Sequence, residues 1–375
     1  MTFRRKMTLA AMLTLALASA LVVVGAASSK PSSKVHQQAT LVVGGIHLGS
    51  IKDAGYNEAA HDGLVYMKSH LPGVSVKLIE VENIPENQGV ESVIQQMINQ
   101  GAKLIFEQSF GYQDFGLQMA AKNPSVYFEQ PAGFKQAKNF GDYWASSYEL
   151  NYALGVAAAK VTKSGKLGFV GAIPIPQIIA AADAFQLGAL SVNPNVTTTV
   201  IFTGSFSDPG KEAAATNTMA DDGVDVVACL VDSPITVMKT AEQRHMWAIG
   251  YHSAAAASYA PNDWLSGVDF NWGPLFVQLA KSVLNGTWKT QNLLTPLKQN
   301  IARLAPFGKN VPAAARTAAL DTVKKFESGA IKSPFQGPVY DQSGKLRIKA
   351  GAAPPSIQVS NTITWLVKGM IGRPK

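Results

Sequence analysis

The chain has 375 residues, 47% hydrophobic and 15% charged, with one cysteine and a formal net charge of +8. That length exceeds one ordinary hydrophobic core and suits two α/β domains, and the composition excludes a disordered or low-complexity chain. A single cysteine excludes an intramolecular disulfide or a cysteine-based metal site, and the scattered Lys and Arg residues, without interleaved aromatics, speak against a nucleic-acid surface.

The N-terminus opens with Arg4, Arg5 and Lys6, continues uncharged from Leu9 to Val24, and ends in the small residues Gly25, Ala26, Ala27 and Ser28. That order is the pattern of a secretory signal peptide over residues 1–27, cleaved after Ala26 or Ala27; an uncleaved anchor helix is the alternative. No cysteine lies near the cleavage region, so an N-terminal lipid anchor is not expected. Residues 28–38, polar and Ser-rich with one proline, read as a tether.

Strands and helices then alternate. Thr40 to Gly45 is a short apolar run ending in glycine, and Gly55 to Leu71 has helical character. Val74 to Val81 alternates as a strand. Val90, Val93, Ile94, Met97 and Ile98 share one helical face, and Gly101 stops that helix. Lys103 to Phe106 and Val126 to Phe128 are further strands with a helix between them.

The second half repeats the pattern. Helices are expected over Glu149 to Val161, over Ile178 to Val192, and from Pro274 to Leu284. Strands are expected over Lys166 to Val170, Val196 to Phe202, Asp225 to Val231, Trp247 to Tyr251 and Leu265 to Asp269. Asp208-Pro209 and Ser233-Pro234 each look like a helix start, with a capping side chain before a proline. Cys229, inside an apolar strand, reads as a buried thiol. The alternation predicts two parallel sheets, with a boundary near Tyr143 to Ser147.

Ligands of open parallel sheets bind beyond the carboxyl ends of the strands. The loops there hold the aromatics Tyr56, Phe110, Tyr112, Phe206, Tyr251, Phe270 and Trp272, and the carboxylates Asp53, Asp114, Glu129, Asp208 and Asp232.

At these loops the sequence resembles the basic membrane protein family of ABC-importer substrate-binding proteins, whose best-understood members are purine-nucleoside receptors. The resemblance rests on Asp53-Ala54-Gly55-Tyr56-Asn57, Gly101 to Phe106, Ser109-Phe110-Gly111-Tyr112, Gly204 to Glu212, Asn271-Trp272-Gly273-Pro274, Leu304 to Gly308, Phe335 to Pro338 and Trp365 to Gly369. It covers nearly the whole chain after the leader. It implies a two-lobed type I periplasmic-binding-protein fold, each lobe a parallel sheet flanked by helices. The lobes would comprise residues 39–145 plus about 271–300, and 146–270 plus about 301–375. The family's stacking positions match Tyr56 and Phe206, which would sandwich a flat base between two rings. Asp53, Asn57, Glu129 and Asp232 are candidates for reading its polar edge; Tyr112, Phe270 and Trp272 complete the candidate pocket.

The sequence departs from the family where nucleoside receptors hold the ribose. The expected aspartate is replaced by His252, and a lysine further on is replaced near Phe270. These changes favour a purine base, or a similar flat heterocycle, over a nucleoside. The expected partners are that small molecule and a membrane permease, with the binding protein itself a monomer. No cofactor, metal or catalytic residue is expected: P-loop, dinucleotide, nucleophile-elbow and HExxH signatures are all missing, and His61 and His252 lack co-ligands at metal spacing. A nucleoside receptor, an exported nucleoside-processing enzyme, and a surface signalling protein remain the alternatives. A sugar-responsive repressor is disfavoured because a leader stands where a DNA-binding head would be.

Overall fold

A computed structural model describes residues 39–374. The leader and tether expected over residues 1–38 lie outside them. Among the described residues, no helix is long and apolar enough to cross a membrane.

The chain runs β1 (Ala39–His47), α1 (Tyr56–Ser69), β2 (Val74–Val81), α2 (Gly89–Asn99), β3 (Leu104–Gln108), α3 (Gln113–Lys122), β4 (Tyr127–Pro131) and β5 (Phe140–Ala145). It continues through α4 (Tyr148–Val161), β6 (Lys166–Gly171), α5 (Pro176–Leu190), β7 (Thr197–Phe202), α6 (Pro209–Asp221), β8 (Val226–Leu230), α7 (Ile235–Gln243), β9 (Trp247–Gly250) and β10 (Trp264–Phe270). It ends with α8 (Gly273–Leu284), β11 (Asn292–Thr295), β12 (Ala302–Leu304), α9 (Ala313–Glu327), the hairpin β13 (Val339–Tyr340) and β14 (Leu346–Ile348), α10 (Ser356–Ser360) and β15 (Met370–Ile371).

These strands build two sheets. The first has six strands in the order β11-β5-β4-β3-β1-β2, all parallel. The second has seven, β12-β10-β9-β8-β6-β7-β15, parallel except for β12 against β10. Helices flank both, giving the two-lobed type I fold. Strand β5 was not expected: Phe140 to Ala145 lies where the sequence suggested only a boundary. The chain passes between the lobes three times, after β5, after β10 and after β11. The passages bond to one another: Ser146 donates its backbone N–H to Thr295 at 3.0 Å, and Asn271 donates to Ile301 at 2.7 Å.

Local packing follows the sequence pattern. Val90, Ile94 and Met97 of α2 are buried against Ile46, Ile105 and Phe128 of the first sheet. Gly101, at φ +92°, ends that helical segment as a glycine can. Asp208 caps α6 by accepting the backbone N–H of Lys211 at 3.1 Å. Ser233 does not cap α7; no side chain caps that helix. Helices α4 and α5 touch backbone to backbone. A Cβ at Gly155 would stand 1.9 Å from the Phe185 carbonyl oxygen, and one at Gly188 would stand 1.9 Å from that of Tyr152.

Two sequence candidates prove to be interior residues of the first lobe. Tyr112 is fully buried and donates its hydroxyl to the Ile84 carbonyl. Glu129 is fully buried as well; the indole N–H of Trp288 donates to its Oε1 at 2.7 Å, and its Oε2 has no partner. Burial pushes the Glu129 carboxyl up to about 8.

Two measurements follow from this packing. Gly188→Ala should lower stability to urea by about 2 kcal/mol or more, because overpacking between backbones outweighs the ~1 kcal/mol gain in helix propensity. Glu129→Gln tests the buried acid. The unfolded carboxyl titrates near 4.5 and the folded one near 8. Between those values the folded chain holds more protons than the unfolded chain, so stability falls as pH rises. The variant should flatten that fall, gaining on the order of a few kcal/mol over the parent at pH 8.5 and little at pH 5.

Candidate functional site

Both sheets turn their carboxyl edges toward one cavity of about 170 Å³. In each sheet the strand order reverses at a point beside this cavity: between β1 and β3 in the first, between β6 and β8 in the second. A crevice at such a point is where parallel sheets take ligands. The first lobe contributes Leu48 and Tyr56 after β1, Ser109 and Phe110 after β3, Ala132 to Phe134 after β4, Asp142 to Trp144 on β5, and Asn292 and Leu294 on β11. The second contributes Tyr148, Ile175, Gln177, Ile178, Phe206, Leu230, Asp232, Tyr251 and His252. Ile357 and Asn361, in and just after α10, close the remaining side.

Four sequence candidates therefore stand on the cavity wall: Tyr56, Phe206, Asp232 and His252. Tyr56 and Phe206 come from opposite lobes and are both half-buried. Tyr56 meets the edge of His252 at 5.1 Å. Burial drives its phenol well above the usual range. Desolvation, reinforced by Asp53, Glu86 and Glu212, drives the Asp232 carboxyl well above the usual carboxylate range. A carboxyl kept neutral in this way can both donate and accept.

His252 is buried, with the backbone in the left-handed region at φ +76°. Its Nε2 has no hydrogen-bond partner. Burial lowers the imidazole to about 3, so the ring is neutral at ordinary pH. Ala54 and Ala132, also with positive φ, sit in two other strand-end loops beside the site. Residues other than glycine rarely hold this conformation, and they cluster at functional loops.

The other candidates play supporting parts. Asp53 accepts four hydrogen bonds, from the backbone N–H groups of Gly55, Asn57 and Glu58 and from the Asn57 side chain, at 2.7 to 3.0 Å. Asn57 in turn accepts the Gly49 N–H at 3.1 Å. These bonds fix the loop that carries Tyr56. Asp53 and Asn57 border a second, more polar cavity of about 570 Å³, which shares Leu48, Phe206 and Asp232 with the first. Phe270 and Trp272 are buried behind the wall, stacked at 4.9 Å with 3° between planes. Trp144, which does line the cavity, packs on both. Tyr112 and Glu129 do not line it.

Sequence reasoning missed several wall residues. Trp144 and Asp142 lie on the unexpected strand β5. The run Phe140-Gly141-Asp142-Tyr143-Trp144 carries the aromatic enrichment of a strand, which was the available signal. Asp142 accepts from Gln136 at one oxygen and has no partner at the other. Burial raises its carboxyl to about 6. Phe134 and Tyr148 were also missed, and Ile357 and Asn361 gave no local signal. Among the described residues, no group of three or more His, Cys, Asp or Glu side chains is placed to hold a metal ion.

The chain's relatives agree with this architecture. Residues 40–334 match the family model Bmp, described as ABC transporter substrate-binding protein PnrA-like. The purine-binding protein of Brucella abortus (strain 2308) is 37% identical over 316 residues, covering 84% of this chain and 89% of that protein. A nucleoside-binding ABC transporter protein of Lactococcus lactis is 35% identical over 129 residues, covering 34% of this chain and 37% of that one. Solved structures of solute-binding proteins from Conexibacter woesei and Aeropyrum pernix superpose with a TM-score of 0.65 each, at 20% and 18% identity. They cover 78% and 77% of this chain, and 97% and 92% of their own. The chain belongs to the Bmp family of PnrA-like ABC transporter substrate-binding proteins, which work outside the cytoplasmic membrane and serve a permease.

Proposed function

We propose that this substrate-binding protein captures a purine base, or a flat heterocycle of that size, in the cavity between its lobes. One observation carries the reading: rings from both lobes wall the cavity, and two of its lining residues, His252 and Asp142, each keep a buried polar atom, Nε2 and Oδ1, without a hydrogen-bond partner. A planar ligand between Tyr56 and Phe206 gains dispersion and buried area without needing charge. A neutral imidazole and a neutral carboxyl at His252 and Asp232 suit the mixed donor and acceptor edge of an uncharged heterocycle. The purine-binding name of the Brucella relative supports the same class. A nucleoside is the second reading. The adjoining polar cavity, lined by Ser50, Asn83, Ser205 and Ser207 among others, offers a place for a hydroxyl-bearing substituent.

Capture proceeds by lobe closure. A ligand that touches both lobes binds the closed form better than the open one and shifts the population toward it. We further propose that residues 1–27 are a cleaved export signal without a lipid anchor, that the protein acts as a monomer without cofactor, and that the bound molecule leaves unchanged. The aromatic wall, with the Asp232 carboxyl raised well above the usual range by burial, supplies binding rather than an acid–base pair poised to work.

Calorimetry on dialysed, refolded protein tests the ligand class. Adenine, guanine or hypoxanthine should bind with sub-micromolar affinity, and more tightly than the matching nucleosides. Tyr56→Ala and Phe206→Ala should each weaken binding by about 10-fold or more, the worth of one stacked ring. Flat titrations with every base and nucleoside would overturn the purine class. Recovery of free base after incubation with a nucleoside would instead show an enzyme.

A further inference from the structure

The two lobes touch directly where two strand-end loops meet beside the cavity. In the first lobe this is Asp53 to Tyr56; in the second it is Asp232 to Pro234. The Tyr56 backbone N–H donates to the Asp232 carbonyl at 2.8 Å. The Ser233 hydroxyl donates to the Asp53 carbonyl at 2.9 Å, which is why Ser233 is not free to cap α7. Gly55 sits between these two bonds. A Cβ at Gly55 would stand 1.9 Å from the Asp232 carbonyl oxygen and 2.6 Å from Pro234 Cδ. The obstacle is backbone and a proline ring, so no side-chain rotation relieves it. The φ of Gly55 is −148°, so the close approach of the other lobe, and not a left-handed φ, excludes a side chain.

We propose that Gly55 and Ser233 are positioning residues for capture: they form a latch that lets the lobes meet and sets the shape of the cavity. Neither needs to touch the ligand. The latch carries its geometry inward along the backbone, because Asp232 accepts from Tyr56 and donates its own N–H to the Phe206 carbonyl at 2.8 Å. Three wall residues, Tyr56, Asp232 and Phe206, are thereby joined in one line of hydrogen bonds that is completed only when the lobes are together, by the Tyr56–Asp232 bond. With the lobes apart, the two obstacles to a methyl group at Gly55, the Asp232 carbonyl and the Pro234 ring, are withdrawn. Gly55→Ala therefore acts chiefly on the closed form. The proposal rests on the two-lobed capture reading, but not on which ligand is bound.

Spin labels at Lys68→Cys on α1 and Lys239→Cys on α7, both exposed, report the separation of the lobes; Cys229 is buried and stays unlabelled. In the parent, pulsed distance measurements should show a short-distance population that adenine enlarges. Gly55→Ala should remove that population with or without adenine, weaken adenine binding about 10-fold or more through faster release, and leave ligand-free melting within a few degrees of the parent. Ser233→Ala should reduce the short population and Ser233→Thr, which keeps the hydroxyl, should restore it. A parent-like distance distribution in Gly55→Ala overturns the latch, as does a parent that never populates the short distance. A parent that closes through this contact yet ignores adenine and every other purine overturns the ligand class and leaves the latch standing.

Discussion

Tyr56 donates its backbone N–H to the carbonyl of Asp232, and this 2.8 Å bond joins two lobes that share no strand. A backbone bond of this kind needs both partners within a few tenths of an ångström of their places. Everything around it serves that need. Asp53 takes four donors to hold the loop before α1. Phe206 holds Asp232 from behind through its own carbonyl. Because both partners carry cavity-lining side chains, the meeting of the lobes also brings the two halves of the cavity wall together.

The site that results holds polar atoms in a place where they are expensive. A buried polar group without a partner destabilises the fold by about 1–3 kcal/mol. His252 Nε2 and Asp142 Oδ1 are both in that state, and His252 adds an unfavourable backbone conformation. Glu107 lies further inside the first lobe with both oxygens unpartnered, and burial pushes it well above the usual range. Burial answers part of this cost by disfavouring the charged forms of His252 and Glu107.

Much of the fold was legible in the sequence because it depends on local pattern. The face Val90, Ile94, Met97 gave α2, and Asp208 before Pro209 gave the start of α6. The errors were non-local. Ser233 before Pro234 looks the same as a cap on paper, yet its hydroxyl is taken by Asp53, 180 residues away. Glu129 was expected in the loop after a strand, but it lies inside β4, and Trp288, 159 residues further on, closes over it. Strand β5 was lost because its residues were read as a boundary, and Trp144 and Asp142 were lost with it. The resemblance to a family located Tyr56 and Phe206; no local rule separates such rings from ordinary core aromatics.

The three passages between the lobes have a mechanical consequence. β5 and β11 lie side by side in the first sheet, and β10 and β12 do so in the second, so the connecting segments form a narrow ribbon tied by the Ser146–Thr295 and Asn271–Ile301 bonds. Because the crossings run together, the angle between the lobes can change at this ribbon while both cores stay intact. A partner on the membrane that grips both lobes and pulls them apart would therefore empty the cavity without unfolding either one.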